Sequence, residues 1–358
     1  MSCIVINNRL ITVARESRGK TQKQLAGDMS ITQGKLSKFE NGTLPVPDSD
    51  LDALSEATKY TRDFFLQGDE VFGLGTICVF HRKRSSVPIR TLKAIQAQLN
   101  IFRMQVTRLL EGVSVEKDRP LPLMDVDKYG GPEKVAQELR RVWKLPLGPI
   151  SNLTAVIERS GVVVFPVDFG TRQIDAVSQN IAGSPPVFMV SKLAPGDRLR
   201  WSLAHELGHM VMHSEPSPNM EVEANKFAAE FLTPAAEIGT SLKTLTIDRA
   251  AQLKRQWLVS MAAVIKRAAD LERISQRHAR TLYMQMSQNG WRMKEPIEVK
   301  QEAPTVLQDM IRVHLEDHSM SVDKLSDTVF LRDRKEFADT YGSLWRPPGG
   351  GGLKVVGA

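Results

Sequence analysis

His205-Glu206-Leu207-Gly208-His209 is the stretch of this chain whose residue types and spacing read most directly as chemistry. On a helix, residues four apart lie on one face, so the two imidazoles can share one Zn²⁺ while Glu206 between them reaches a bound water. Zinc lowers the pKa of such a water toward neutrality, and a nearby carboxylate can take its proton and later deliver it to the leaving amine of a peptide. A third protein ligand is needed that leaves one position open. Glu221 and Glu223 both follow after a short loop, and Glu221 is preferred: Asn225 stands one turn along the same face, where it could fix an imidazole through its other nitrogen. Glu223 would put Phe227 at that place, which cannot accept a hydrogen bond.

His213 comes one turn after His209, yet two turns from His205 rotate it about 80° off the metal face at 100° per residue. That makes it an outer support or a packing residue. Cys3 and Cys78 are the only cysteines, too few for a thiolate site, so any metal must rest on histidine and carboxylate. Manganese or iron could occupy the same donor set. The competing reading is a helix whose histidines pack in a core, and the Glu-x-Glu-Ala-Asn run downstream counts against it.

Elements of recognisable type must position these residues. LRWSLAHELGHMVMH, MEVEANKFAAEFLTP, TIDRAAQLKRQWLV, MAAVIKRAADLERI and SQRHARTLYMQMSQ follow one another at helical period with brief loops. Before them, GVVVFPV, RQIDAVSQ and PPVFMVSK are β-branched runs separated by Gly and Pro signals, which predicts a sheet of three or more strands. PEKVAQELRRVWKL and SNLTAVIERSG precede these as helices, the second ending at Gly161.

Further upstream, Arg9 to Gln67 reads as short helices with polar caps, two of them opening on Thr21 and Thr32. Residues 68–90 read as a linker, and TLKAIQAQLNIFRMQVTRLLEG as an amphipathic helix whose basic residues form a solvated face or a binding surface. After Gly290 the text is mixed, returns to short helices and ends in the tail RPPGGGGLKVVGA. The expected division is therefore 1–70, 71–125, 126–297 and 298–358.

With 358 residues, 42% of them hydrophobic and 25% charged, the chain has ordinary globular composition for two or three domains. No apolar run reaches eighteen residues, and Asn7, Asn8 and Arg9 interrupt the N-terminus too soon for a signal-peptide core. The expectation is a soluble cytoplasmic protein with no membrane partner. The net charge of +7 is local: over residues 79–120, nine basic residues oppose three acidic ones. Over residues 1–70, nine basic residues meet ten acidic ones, so the first module is not basic as a whole.

HELGHMVMH followed by EVEANKFAAEFLTP, preceded by a short sheet and followed by GWRMKEP, resembles the ImmA/IrrE family of gluzincin-like zinc metallopeptidases over roughly residues 150–297. The resemblance implies one Zn²⁺ held by His205, His209 and Glu221, with Glu206 as general base. It also implies proteolysis of a helix-turn-helix repressor in stress responses or mobile-element induction. Tyr283 is the residue it suggests for steadying the tetrahedral oxyanion, though the same residue could be core. Where the family often has Met before the Pro that ends the second helix, this chain has Thr233.

Residues 9–66 resemble the XRE (Cro/C1-type) helix-turn-helix family through TQKQLA and TQGKLSKFENG. The resemblance implies that the helix opening on Thr32 enters the major groove of an operator. Gln33 and Gly34 would lead, Lys35 and Lys38 would face bases or phosphates, and Gln22 and Asn41 would contact phosphates. Leu25, Ala26, Leu36 and Phe39 would be core, and Arg15 and Glu40 an ion pair. Since the module lacks a basic excess, binding would rely on a local basic face, a homodimer, or the basic stretch that follows.

The expected fold is mainly α with an α+β part: a five-helix helix-turn-helix bundle, a zincin domain with a small sheet and the HExxH helix, and a mixed C-terminal region. The expected function is a DNA-binding regulator fused to a zinc metalloendopeptidase that cleaves an XRE-type repressor or itself. The alternative is a repressor or antitoxin, as in toxin-antitoxin pairs, whose zincin domain senses or binds a partner without proteolysis.

Overall fold

In the computed structural model of the chain, residues 6–73, 78–81, 87–113, 118–215 and 217–345 are described. The first helices are α1 (Asn8–Ser17), α2 (Gln22–Asp28), α3 (Gln33–Glu40) and α4 (Asp48–Thr58), and a 3-10 turn over Arg62–Leu66 stands where a fifth helix is expected. Thr21 accepts from the Gln24 amide while the Gln24 side chain accepts from the Thr21 amide, so each satisfies a donor the other would orphan. Thr32 likewise accepts from the Lys35 amide and starts α3.

A short strand β1 (Cys78–His81) leads to α5 (Ile89–Leu109), the longest helix. Then come α6 (Val126–Tyr129), α7 (Pro132–Val142), α8 (Leu153–Glu158) and strands β2 (Val163–Val167), β3 (Ile174–Gln179) and β4 (Val187–Ser191). The HExxH motif lies on α9 (Gly196–Met212), followed by α10 (Met220–Leu232), α11 (Ala235–Ile238), α12 (Ile247–Trp257), α13 (Met261–Asp270) and α14 (Gln276–Gln288). The chain closes with α15 (Val306–Arg312), α16 (Val322–Thr328) and α17 (Arg334–Trp345).

The strands form one sheet in the order β1-β3-β4-β2, with β2 and β4 parallel and β3 antiparallel to both of its neighbours. Side chains alternate across β2 and β4, as period two requires, whereas in β3 Ile174 and Ala176 join opposite cores where the register with β1 shifts. Val164, Ala176, Phe188 and Val190 join the core built by α7–α10 and α12–α14. Val163, Phe165, Ile174, Val177, Val187 and Met189 join a second core, made by α1–α5 and α15–α17. The sheet is thus a central layer, and the expected zincin region supplies only one side of its cover.

This second core corrects the expected division of the chain. The C-terminal helices do not form a region of their own; they dock on the first module. The Thr61 amide donates to the Phe330 carbonyl at 2.9 Å, and the Arg332 amide to the Lys59 carbonyl at 3.0 Å. Arg18 pairs with Glu336 at 2.5 Å, and Phe64 meets Phe330 edge-on at 5.7 Å.

The α5 stretch is likewise not a linker with a free basic face. Arg103 is buried and donates to the Glu70 carbonyl at 2.7 Å, Arg90 to the Gly19 carbonyl, and Arg108 pairs with Glu111 at 2.7 Å. Tyr341 of α17 donates to Gln105 of α5 at 2.6 Å. Arg103, and Arg108 through Asp69 at 3.5 Å, act as struts between elements, whereas Arg90 and Lys93 keep exposed side chains. The cluster Arg82-Lys83-Arg84 and the final tail lie outside the described residues.

Candidate metal centre

Helix α9 is anchored well before it reaches His205. Gly196 lies against the backbone carbonyls of Val299 and Lys300, too close for a Cβ. Asp197 in the first turn pairs at 2.5 Å with Lys254, which also meets Glu295 at 2.7 Å. Glu295 then accepts from the Met261 amide at 2.9 Å, where α13 begins. A carboxylate at that helix start answers both its unpaired N–H groups and its positive dipole end. The GWRMKEP segment therefore serves the fold of α9, α12 and α13. Arg200, buried, pairs with Glu302 and donates to the Ile150 carbonyl at 2.6 Å.

On this platform His205, Glu206 and His209 are all buried, as a helix wedged between the sheet and α10 makes them. The Nε2 atoms of His205 and His209 are 2.9 Å apart, and the Glu221 carboxylate oxygens reach them at 3.4 and 3.5 Å. A tetrahedron with metal–donor bonds of about 2.0–2.1 Å has edges of about 3.3–3.4 Å, so the two Glu221 distances match such a site while the two imidazole nitrogens stand closer together than its edge. Among the described residues these three are the one group of this kind. The Glu221 side chain is 60% exposed, so the cluster opens to solvent on that side. Burial, helped by the neighbouring His205, pushes His209 down to about 3, so its ring is neutral and keeps a lone pair for a metal.

Gly208 sets the distance between α9 and α10, the two helices that carry the three candidate donors. A Cβ there would stand 2.9 Å from Cδ1 of Phe227 on α10. Only the missing side chain lets Phe227 seat against α9, and that seat holds the first turn of α10, with Glu221, over the histidines.

Of the two residues expected as support behind the centre, one takes that place. Asn225 does not reach an imidazole; its amide donates to the Glu221 carbonyl at 2.7 Å, one turn back on the same helix. His213 does the supporting. Its Nδ1 lies 3.0 Å from Nδ1 of His209, and its Nε2 lies 2.9 Å from Glu223. When Nε2 of His213 donates to Glu223, its Nδ1 can accept from Nδ1 of His209, which leaves Nε2 of His209 as an acceptor facing His205 and Glu221. His213 is off the donor cluster, as its helical phase implies, and of the two roles left open for it the outer support is the one observed; α9 ends at Met212. At φ −117° and ψ 103° His213 is extended, and its ring returns to His209.

Glu206 is held from the sheet: the Ser178 hydroxyl on β3 donates to its carboxylate. Reading the sequence did not single out Ser178, since its alternation within β3 marks a face but not a contact across layers. Tyr283 is not at the centre. Its hydroxyl donates to the Ala262 carbonyl at 3.1 Å and Arg292 lies over its ring, so it belongs to the packing of α13 and α14.

The other expected site lies on α2 and α3. Thr32, Gln33, Gly34, Lys38 and Asn41 are exposed. Leu25, Ala26, Leu36 and Phe39 are buried, and Arg15 pairs with Glu40 at 2.5 Å. Two expected contact residues are engaged within the chain: Lys35 pairs with Asp50 at 2.7 Å, and Gln22 donates to Glu40 at 2.7 Å. Gly34 has no atom near the place of a Cβ, so nothing in this chain demands a glycine there.

Comparison with known families agrees with both parts. Residues 157–269 match the IrrE N-terminal-like domain of the peptidase M78 model, and residues 9–63 match a helix-turn-helix domain. No curated protein and no solved structure matches the chain. The molecule therefore joins a domain of DNA-binding type to one of metallopeptidase-like fold, and among its described residues no helix is long and apolar enough to cross a membrane.

Proposed function

We propose that this chain is a DNA-binding regulator whose second domain is a zinc-dependent endopeptidase acting on a protein, either an XRE-type repressor or the chain itself. The observation that carries the reading is the convergence of His205, His209 and Glu221 beside a buried Glu206. A helix that merely packed its histidines would have no use for the open third ligand or for the His213–Glu223 support behind His209.

His205, His209 and Glu221 would hold the metal. When bound, zinc supplies Lewis-acid polarisation of a peptide carbonyl and acidifies a water. The residues of the chain do the rest. Glu206 takes the proton from the attacking water and passes it to the departing amine, so the amide bond breaks with no net change in Glu206. Ser178 orients that carboxylate, and His213 keeps His209 in the required tautomer.

At the other end, the exposed edge of α3 would enter the major groove of a double-stranded operator, with Gln33 reading bases, Lys38 meeting bases or phosphates and Asn41 meeting phosphates. A homodimer would present two such helices to a two-fold operator.

The test compares the wild type with Glu206→Gln for metal content, for cleavage of helix-turn-helix repressors and of the chain itself, and for operator binding. The reading expects about one zinc in each, with cleavage by the wild type alone. If both hold zinc, cut nothing and repress the same operator, the chain is a regulator whose second domain senses or binds a partner.

A further inference from the structure

Three strands of the sheet, β2, β4 and β3, come from the segment that matches the IrrE-like domain, whereas β1 comes from outside it. It belongs to the stretch between the helix-turn-helix module and α5. Without β1, β3 would be an edge strand with unpaired ladder groups, the kind of edge to which an extended polypeptide adds itself through main-chain hydrogen bonds.

The place of β1 on that edge is specific. Cys78 stands opposite Ser178, Val79 opposite Val177, Phe80 opposite Ala176 and His81 opposite Ile174, all antiparallel. Ser178 is the residue whose hydroxyl holds Glu206, so a chain lying along β3 runs past the base of the candidate centre. β1 also lies against α9, the helix of the two histidines. The pairing is short and loses regular register between Phe80 and His81, so few hydrogen bonds hold it.

We propose that Cys78–His81 occupies the track of the substrate: it is a tethered competitor for the β3 edge, and an extended polypeptide reaches Glu206 only when this strand leaves. The proposal rests on the peptidase reading for the meaning of that track. A tethered segment competes at an effective concentration on the order of millimolar, enough to exclude a weakly bound chain and yet to yield to a well-matched one. The substrate class is then any polypeptide that can extend antiparallel to β3, and selectivity arises from what can displace β1.

The test measures peptide binding apart from cleavage. A fluorescent synthetic peptide with the sequence of residues 76–83 is titrated into the full chain carrying Glu206→Gln, with and without Val79→Pro, a residue that regular paired strands disfavour. The Val79→Pro protein should bind the peptide at least tenfold more tightly than its parent, while Val79→Thr, which keeps a strand-forming residue, should match the parent. Equal affinity in parent and Val79→Pro, or no binding to either, overturns the proposal. If Val79→Pro loses its cooperative melt, Phe80→Gly weakens the same pairing and gives the same reading. With Glu206 restored and zinc added, casein cleavage separates the two readings. Tight peptide binding with no cleavage by any variant keeps the competing strand and removes the peptidase; cleavage at one rate with or without Val79→Pro does the reverse.

Discussion

Gly208 and Phe227 touch so closely that a single added methyl would stand 2.9 Å from the ring. The ring is fully buried and stacks on Phe231 at 5.4 Å, so it has no room to retreat. Gly208→Ala must therefore push α10 from α9 and carry Glu221 away from the histidines. Overpacking of this kind costs about 1–3 kcal/mol. Zinc affinity, measured by competition with a chelator, should fall by about tenfold or more. Recovery in Gly208→Ala, Phe227→Leu would confirm the steric cause; an unchanged affinity in Gly208→Ala would show that α10 position does not control the ligand.

The two supports proposed for the histidines separate cleanly. His213→Ala removes the partner of Nδ1 of His209 and should weaken zinc binding by about 10- to 100-fold, the usual effect of losing an outer partner of a metal ligand. Asn225→Ala removes only a bond to the Glu221 carbonyl and should change affinity little. Calorimetric zinc titration of the two variants decides, and the reverse order of effects would return the supporting role to Asn225.

Glu158 gives the fold a pH dependence. Its carboxyl is buried beneath the start of α15, where it accepts from the Thr305 amide at 2.9 Å and the Val306 amide at 3.2 Å. Burial pushes it up to about 7 despite those bonds. The folded protein therefore keeps this proton over a range in which the unfolded chain releases it. The stabilisation is complete below about 4.5, declines as pH rises, and is gone above about 7, a change on the order of 3 kcal/mol. Urea unfolding between pH 5 and 8 should show a shallower slope for Glu158→Gln than for the wild type. Parallel slopes would assign the pH dependence to other groups.

Gly34 separates stability from binding. A glycine early in α3 weakens the helix by up to about 1 kcal/mol relative to alanine, and no contact within the chain requires it. Gly34→Ala should raise the melting temperature slightly. If the backbone at Gly34 approaches DNA, the same change should weaken operator binding by tenfold or more in a mobility-shift titration. Unchanged binding would move the interface away from the leading edge of α3.

Local chemistry was legible in the sequence wherever one element carried it. The histidines at i and i+4, the two threonine caps and the alternation of the strands each follow from the period of a single helix or strand. Glu221 was within reach for the same reason, because only a short loop separates its helix from α9. The supporting role was legible only in part: His213 stood as an outer support or a packing residue beside Asn225, and choosing between them needed the point where α9 stops and the chain becomes extended. The docking of α15–α17 on the first module was equally invisible. Arg18 and Glu336 meet across 318 positions of sequence, and no local periodicity records which of two apolar faces will find the other.

What the sequence alone determined is thus which residues are candidate donors and the two kinds of domain. Tertiary structure alone decided that the sheet separates two cores, that Ser178 holds Glu206, and that a strand from the first linker lies along that edge. The reason is physical: ligand spacing and capping are set by backbone geometry over a few residues, whereas pairing between layers depends on which long-range burial repays the entropy of closing the chain.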